Sequence, residues 1–72
     1  MKNNMSYDEF KKAVLEDVKY NIWTNLSQEE KEIWEKKVDA IDPKDIDDVC
    51  KEHYNRNNPN IESCAWCVHM FA

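Results

Sequence analysis

The chain is 72 residues long and contains no glycine. Glycine is the residue that enters left-handed backbone without steric penalty and lets a main chain approach a ligand closely. Without it, two-residue hairpins, phosphate loops and the tight turns of βαβ units lose their usual hinge. The composition therefore favours helices, with Asn and Asp at the turns. The expected fold is all-α: a small bundle of three to four short helices around a single core, with residues 1–72 forming one domain and residues 1–5 a frayed start. A chain of this size buries only about 60% of the surface that its unfolded form exposes. Small scaffolds usually add a disulfide, a metal, a partner or dense helix packing. The three tryptophans and the Cys/His residues of the last third are the material at hand.

Helix boundaries are written in the capping signals. Ser6-Tyr-Asp-Glu9 and Ser27-Gln-Glu-Glu30 are capping boxes, in which a serine oxygen takes a first-turn amide and the glutamate reaches back. Behind the first, Phe10, Val14, Val18 and Ile22 recur at helical spacing as far as Trp23. Behind the second, with Leu26 as a staple residue, Ile33, Trp34, Val38 and Ile41 share one side. Glutamates lead that helix and lysines close it, which complements the helix dipole. Asp42 and Pro43 suit the N-cap and first position of a third helix. Its apolar face would be Ile46, Val49, Cys50 and His53, with Tyr54 at the edge. The Asn-rich run around Pro59 breaks it. The last element, Ile61 to Phe71, fits a helix with Cys64, Cys67, Val68 and Phe71 inward. The expected core is Phe10, Val14, Val18, Ile33, Trp34, Val38, Ile46, Val49, Cys67 and Phe71.

All three cysteines and both histidines fall between Cys50 and His69. The spacing Cys50-x2-His53-x10-Cys64-x2-Cys67 gives two ligand pairs joined by a loop long enough to fold back. Tetrahedral zinc favours such sets, and a structural zinc would address the small core. His69 could replace one ligand or support one. The same residues lie on the expected inner helix faces, where cysteine is commonly a buried apolar side chain. Buried thiols without a cofactor are thus the first reading, and zinc the alternative. Cys64-Ala-Trp-Cys67 has the outline of a redox CxxC, but the βαβ context of such motifs is missing. An odd cysteine count without an apolar leader after Met1 fits a reducing, cytoplasmic compartment.

Fifteen acidic residues against ten basic ones give a net charge of −5. That argues against direct nucleic-acid binding, where Lys and Arg contacts to phosphate supply the affinity. No stretch reaches the ~20 apolar residues of a membrane span. The acids Asp39, Asp42, Asp45, Asp47 and Asp48 concentrate around the third helix. They serve either as a solvated, dipole-matched face or as a patch that meets a basic partner. Trp66, off the inner face of the last element, is a further contact candidate and would suit a homodimer seam.

No glycine-rich loop, nucleophile elbow or Ser/His/Asp framework is present, and a helical chain this short offers little concavity to exclude water. The expectation is therefore not an enzyme but a protein-binding protein that regulates or inhibits a larger, basic nucleic-acid-handling protein. The alternative is a zinc-stabilised structural or adaptor module using Cys50, His53, Cys64 and Cys67. The segment from Leu26 to Val38 resembles the second helix of an HMG box. The chain lacks the basic arm and groove-facing lysines of such a box, so the resemblance implies a helix and not its DNA-binding function. In size, charge and compactness the chain resembles small acidic proteins of bacteriophages and mobile elements, anti-CRISPR proteins among them. That class likeness implies a phage-type inhibitor acting in the cytoplasm of a bacterial host, and it assigns no residues.

Overall fold

The structure, a computed structural model, describes residues 5–56 and 58–72. It contains four helices, α1 (Tyr7–Tyr20), α2 (Gln28–Asp39), α3 (Pro43–Tyr54) and α4 (Ile61–His69), and no strand among the described residues. The all-α bundle expected from the sequence is the fold observed. Most of the expected frayed start, residues 1–4, lies outside the described residues. The Met5 carbonyl accepts a hydrogen bond from the Tyr54 hydroxyl at 2.7 Å, which ties the approach to α1 onto the end of α3.

Each helix starts where a side chain satisfies amides that the helix itself leaves unpaired. Both capping boxes form: Ser6 Oγ accepts from the Glu9 amide and Glu9 returns to the Ser6 amide, and Ser27 and Glu30 do the same. The amides hold both glutamates below the usual carboxylate range, the backbone hydrogen bond being the larger cause. Asp42 caps α3 with Pro43 behind it, and Asn60 caps α4 by accepting from the Ser63 amide at 3.0 Å.

Helix α1 is the axis of the bundle: α4 packs along it most extensively, and α3 and α2 also lie against it. Phe10, Val14 and Val18 project one stripe of α1 into the core and are fully buried. Val38, Ile41, Ile46, Cys50, Cys64, Ala65 and Val68 complete that core, with Trp34 and Val49 half-buried against it. α1 stops at Tyr20, short of Trp23. Asn21 ends it by donating its side-chain amide to Asp17 at 2.7 Å, while the Asn21 and Ile22 amides close on the Asp17 carbonyl. A short amide side chain that bonds locally competes with the next helical turn.

Three expected core residues are exposed: Ile33 (52%), Phe71 (50%) and Cys67. α2 packs chiefly against one neighbour, α1. A helix with one neighbour buries a narrow stripe, and Ile33 lies about 100° round the axis from Trp34 and further still from Val38. In α4 the buried arc is Cys64, Ala65 and Val68, so the helix is rolled toward Ala65. Alanine is small enough to let α4 pack closely, and that roll carries Cys67 outward; α4 ends at His69, short of the expected end at Phe71, which lies exposed in the turn that follows. No described helix is long and apolar enough to cross a membrane.

Candidate functional site

The Cys/His cluster separates into an inner pair and an outer residue. Cys50 and Cys64 are fully buried where α3 meets α4, with their Sγ atoms 3.9 Å apart. The Cys64 thiol donates to Cys50. That contact lowers the Cys50 thiol from its ordinary range, aided by the positive Lys11, and raises Cys64, whose proton the contact holds and whose burial acts the same way. His53 is also buried, and burial pushes its imidazole below the ordinary value, with Arg56 adding to the effect. Cys67 faces outward. The zinc set Cys50, His53, Cys64 and Cys67 is therefore not brought together. Among the described residues no three His, Cys, Asp or Glu side chains converge in a metal-holding group.

The acidic run is divided in the same way. Asp39 pairs with Lys19 at 2.7 Å, and that hydrogen bond raises the lysine. Asp42 is committed to the cap of α3. Asp47 accepts from the Tyr7 hydroxyl and from Lys11 at 3.3 Å, and Lys51 approaches its other oxygen at 3.6 Å. The Tyr7 hydrogen bond, then the Lys11 one, lowers the Asp47 carboxyl from its usual range. Only Asp45 and Asp48 have no side-chain ion-pair or capping role among the described residues. The run that looks like one acidic patch in the sequence is thus largely structural: it joins α3 to α1 and α2 to α1.

The exposed chemistry lies on a different face. Trp66, on α4, meets the ring of His69 edge to face, with centroids 4.9 Å apart. His69 in turn lies 6.1 Å from Trp23 and 6.4 Å from Trp34, and those two indoles meet perpendicularly at 6.2 Å. Apart from the tilted Trp34–His69 pair, these are the edge-on arrangements that aromatic quadrupoles favour. The indole nitrogen of Trp34 donates to the Val18 carbonyl at 2.8 Å, and His69 Nδ1 is held against the Trp66 carbonyl. The result is a fixed aromatic ridge made by the α1–α2 loop, α2 and α4, with Trp23 and Trp66 42% and 45% exposed.

A groove lies on either side of this ridge. One, of about 480 Å³, is lined by Trp23, Leu26, Glu30, Ile33, Trp34 and Lys37. It is mainly apolar, with one charge of each sign at its edge. The other, of about 430 Å³, is lined by Asp17, Asn21, Ile22, Ile61, Glu62 and Trp66. It places two carboxylates beside an indole. Trp66 is exposed, as its helix position predicts. The joining role of His69 and the outward turn of Ile33 are not legible in the sequence, since both depend on how α2 and α4 sit on α1.

Compared with known proteins, the chain matches no family model, no curated protein and no solved structure.

Proposed function

We propose that this chain is a non-enzymatic binding protein that docks on a larger, basic protein through its tryptophan face and regulates or inhibits it. The observation that carries the reading is the ridge of Trp23, Trp34, Trp66 and His69 between an apolar groove and a carboxylate-bearing one. Tryptophan is enriched among the residues that dominate binding energy at interfaces, because it offers a large rigid apolar area together with a polar edge. On a chain this small, several large apolar side chains on the outside are a surface awaiting cover: Ile33, Trp23 and Trp66, with Met70 and Phe71 close behind α4.

The charge supports a basic partner. Asp17 and Glu62 stand beside Trp66, an arrangement that suits a lysine or arginine side chain through ion pairing and contact with the indole face. The first groove takes an aliphatic or aromatic side chain. A partner segment carrying a large apolar residue and a basic one would therefore fill both grooves. With a net charge of −5, approach to a basic surface is also steered over long range. Basic surfaces are common on proteins that handle nucleic acid, because phosphate contacts need Lys and Arg, and such a protein is the partner class expected.

The test isolates a partner with the immobilised protein and then measures affinity with purified components. Ile33→Glu and Glu62→Lys are compared with the parent across a salt series. The reading expects a basic partner, roughly tenfold or greater weakening by each variant, and a shallower salt dependence for Glu62→Lys. An acidic partner, or one that binds both variants as it binds the parent, would overturn it.

A further inference from the structure

Cys50 and Cys64 have a geometry that a merely apolar core does not require. They sit on different helices, 14 positions apart, with their sulfurs in van der Waals contact and hydrogen-bonded to each other. The disulfide bond length is about 2.0 Å, so rotation of the two side chains with a small approach of α3 and α4 would suffice to join them. The third thiol, Cys67, lies one turn along α4 and faces solvent.

We propose that the Cys50–Cys64 pair is an oxidisable clasp, converted by a hydroperoxide into a disulfide that locks α4 onto α3. Cys50 is the attacking sulfur. It receives the Cys64 proton in a hydrogen bond, which favours its thiolate against the opposing effect of burial; Lys11 adds to this and Asp47 works against it. Because both thiols are fully buried, the peroxide reaches Cys50 when α4 opens locally from α3. The Cys50 sulfur takes the distal oxygen of the hydroperoxide; the O–O bond breaks, Cys50 becomes a sulfenic acid, and the alcohol, or water from hydrogen peroxide, leaves with a proton. Cys64 then attacks the Cys50 sulfur. The S–O bond breaks, the S–S bond forms, and the hydroxyl departs with the Cys64 proton as water. Two thiols lose two electrons in all, and the peroxide takes them.

Two features of the fold make this a device and not an accident of packing. The link would span the loop between α3 and α4 and tie α4 directly to α3. α4 carries Trp66 and His69, so the clasp would also fix half of the aromatic ridge. The oxidised protein is expected to melt higher by on the order of 10 °C, because the closed loop removes entropy from the unfolded chain.

The experiment exposes the folded parent and Cys67→Ser to hydrogen peroxide. Each is then alkylated, digested without reduction and mapped by mass spectrometry, and melting is recorded before and after reductant. Cys67→Ser removes the exposed thiol and leaves the core untouched, so its folding is not at issue. The proposal expects a Cys50–Cys64 linked peptide in both proteins, with a higher melting temperature that reductant reverses. Any of three results would overturn it: linkage only through Cys67, further oxidation of Cys50 or Cys64 without linkage, or a linked product that melts no higher than the reduced protein. Because no partner is needed, the outcome is independent of the docking reading.

Discussion

The indole nitrogen of Trp34 donates to the carbonyl oxygen of Val18 at 2.8 Å. A side chain of α2 thereby satisfies one of the last carbonyls of α1, which the helix cannot pair for itself. The same ring packs on the core from one side and meets Trp23 and His69 from the other. Trp34 thus couples the stability of the α1–α2 junction to the shape of the exposed aromatic face. Trp34→Phe keeps a ring and loses the donor. It should lower the unfolding free energy by about 1 kcal/mol, the ordinary net worth of such a hydrogen bond, with some further loss from the smaller ring. Urea denaturation with an unchanged slope is the check, and a variant as stable as the parent would show that this bond does not hold the junction.

Ile33 is the counterpart on the same helix, exposed where Trp34 is half-buried. Ile33→Glu should change stability by no more than about 0.5 kcal/mol, as surface substitutions away from special features do. Phe10→Ala, in the fully buried stripe of α1, should cost about 3–5 kcal/mol. In a domain this small that leaves little or no folded protein. Melting curves for the pair separate the two faces. A large loss from Ile33→Glu would mean that α2 buries more than the structure shows.

Which parts of this molecule were legible in its sequence follows from the range of the forces involved. Ser6, Ser27 and Asp42 act on amides two or three residues away, so their helices start where local chemistry says. The α1 stripe of Phe10, Val14 and Val18 has helices packed on it from several directions, and periodicity alone finds such a stripe. Cys67 and Phe71 are different. The outward turn of Cys67 follows from the roll of α4 that buries Ala65, and Phe71 lies beyond the end of that helix; both are facts about how two surfaces meet and not about one period. The acidic run shows the same division. Its composition was plain, but the tie of Asp47 to Tyr7 and Lys11 spans 36 to 40 positions and appears only once α1 and α3 are side by side.

The dispersal of the candidate zinc ligands leads to a prediction about metal. Cys50 and Cys64 are hydrogen-bonded to each other and Cys67 faces solvent, so as they stand these residues do not form a closed four-ligand site. Protein purified without an affinity metal should melt at the same temperature with and without a strong chelator, and added zinc should not raise it. A specific ion bound to the folded form would stabilise it by mass action. A saturating rise on adding zinc would require α4 to roll Cys67 inward and would restore the set Cys50, His53, Cys64 and Cys67.

Acid sensitivity should be traceable to His53. It is buried beside Arg56, and both desolvation, the larger cause, and that positive charge disfavour its protonated form; Glu52 opposes them. Its folded pKa is thus depressed below the ordinary value of 6.5. Above that value His53 is neutral in both states and contributes nothing to the balance. As pH falls below it, the unfolded chain takes up a proton that the folded chain resists, so the unfolded state binds more protons and stability falls with pH. The loss continues until pH has passed through the folded pKa, where the folded protein is protonated as well. Carboxylates such as Asp47, whose folded pKa is also depressed, add their own loss at lower pH, below the carboxylate value of 3.8. The two windows are distinct, so His53→Gln should flatten the stability profile below about pH 6.5 while leaving the more acidic limb in place. The measurement is the urea midpoint as a function of pH for both proteins. If the variant keeps the parent's slope in the upper window, the titrating group there is not His53.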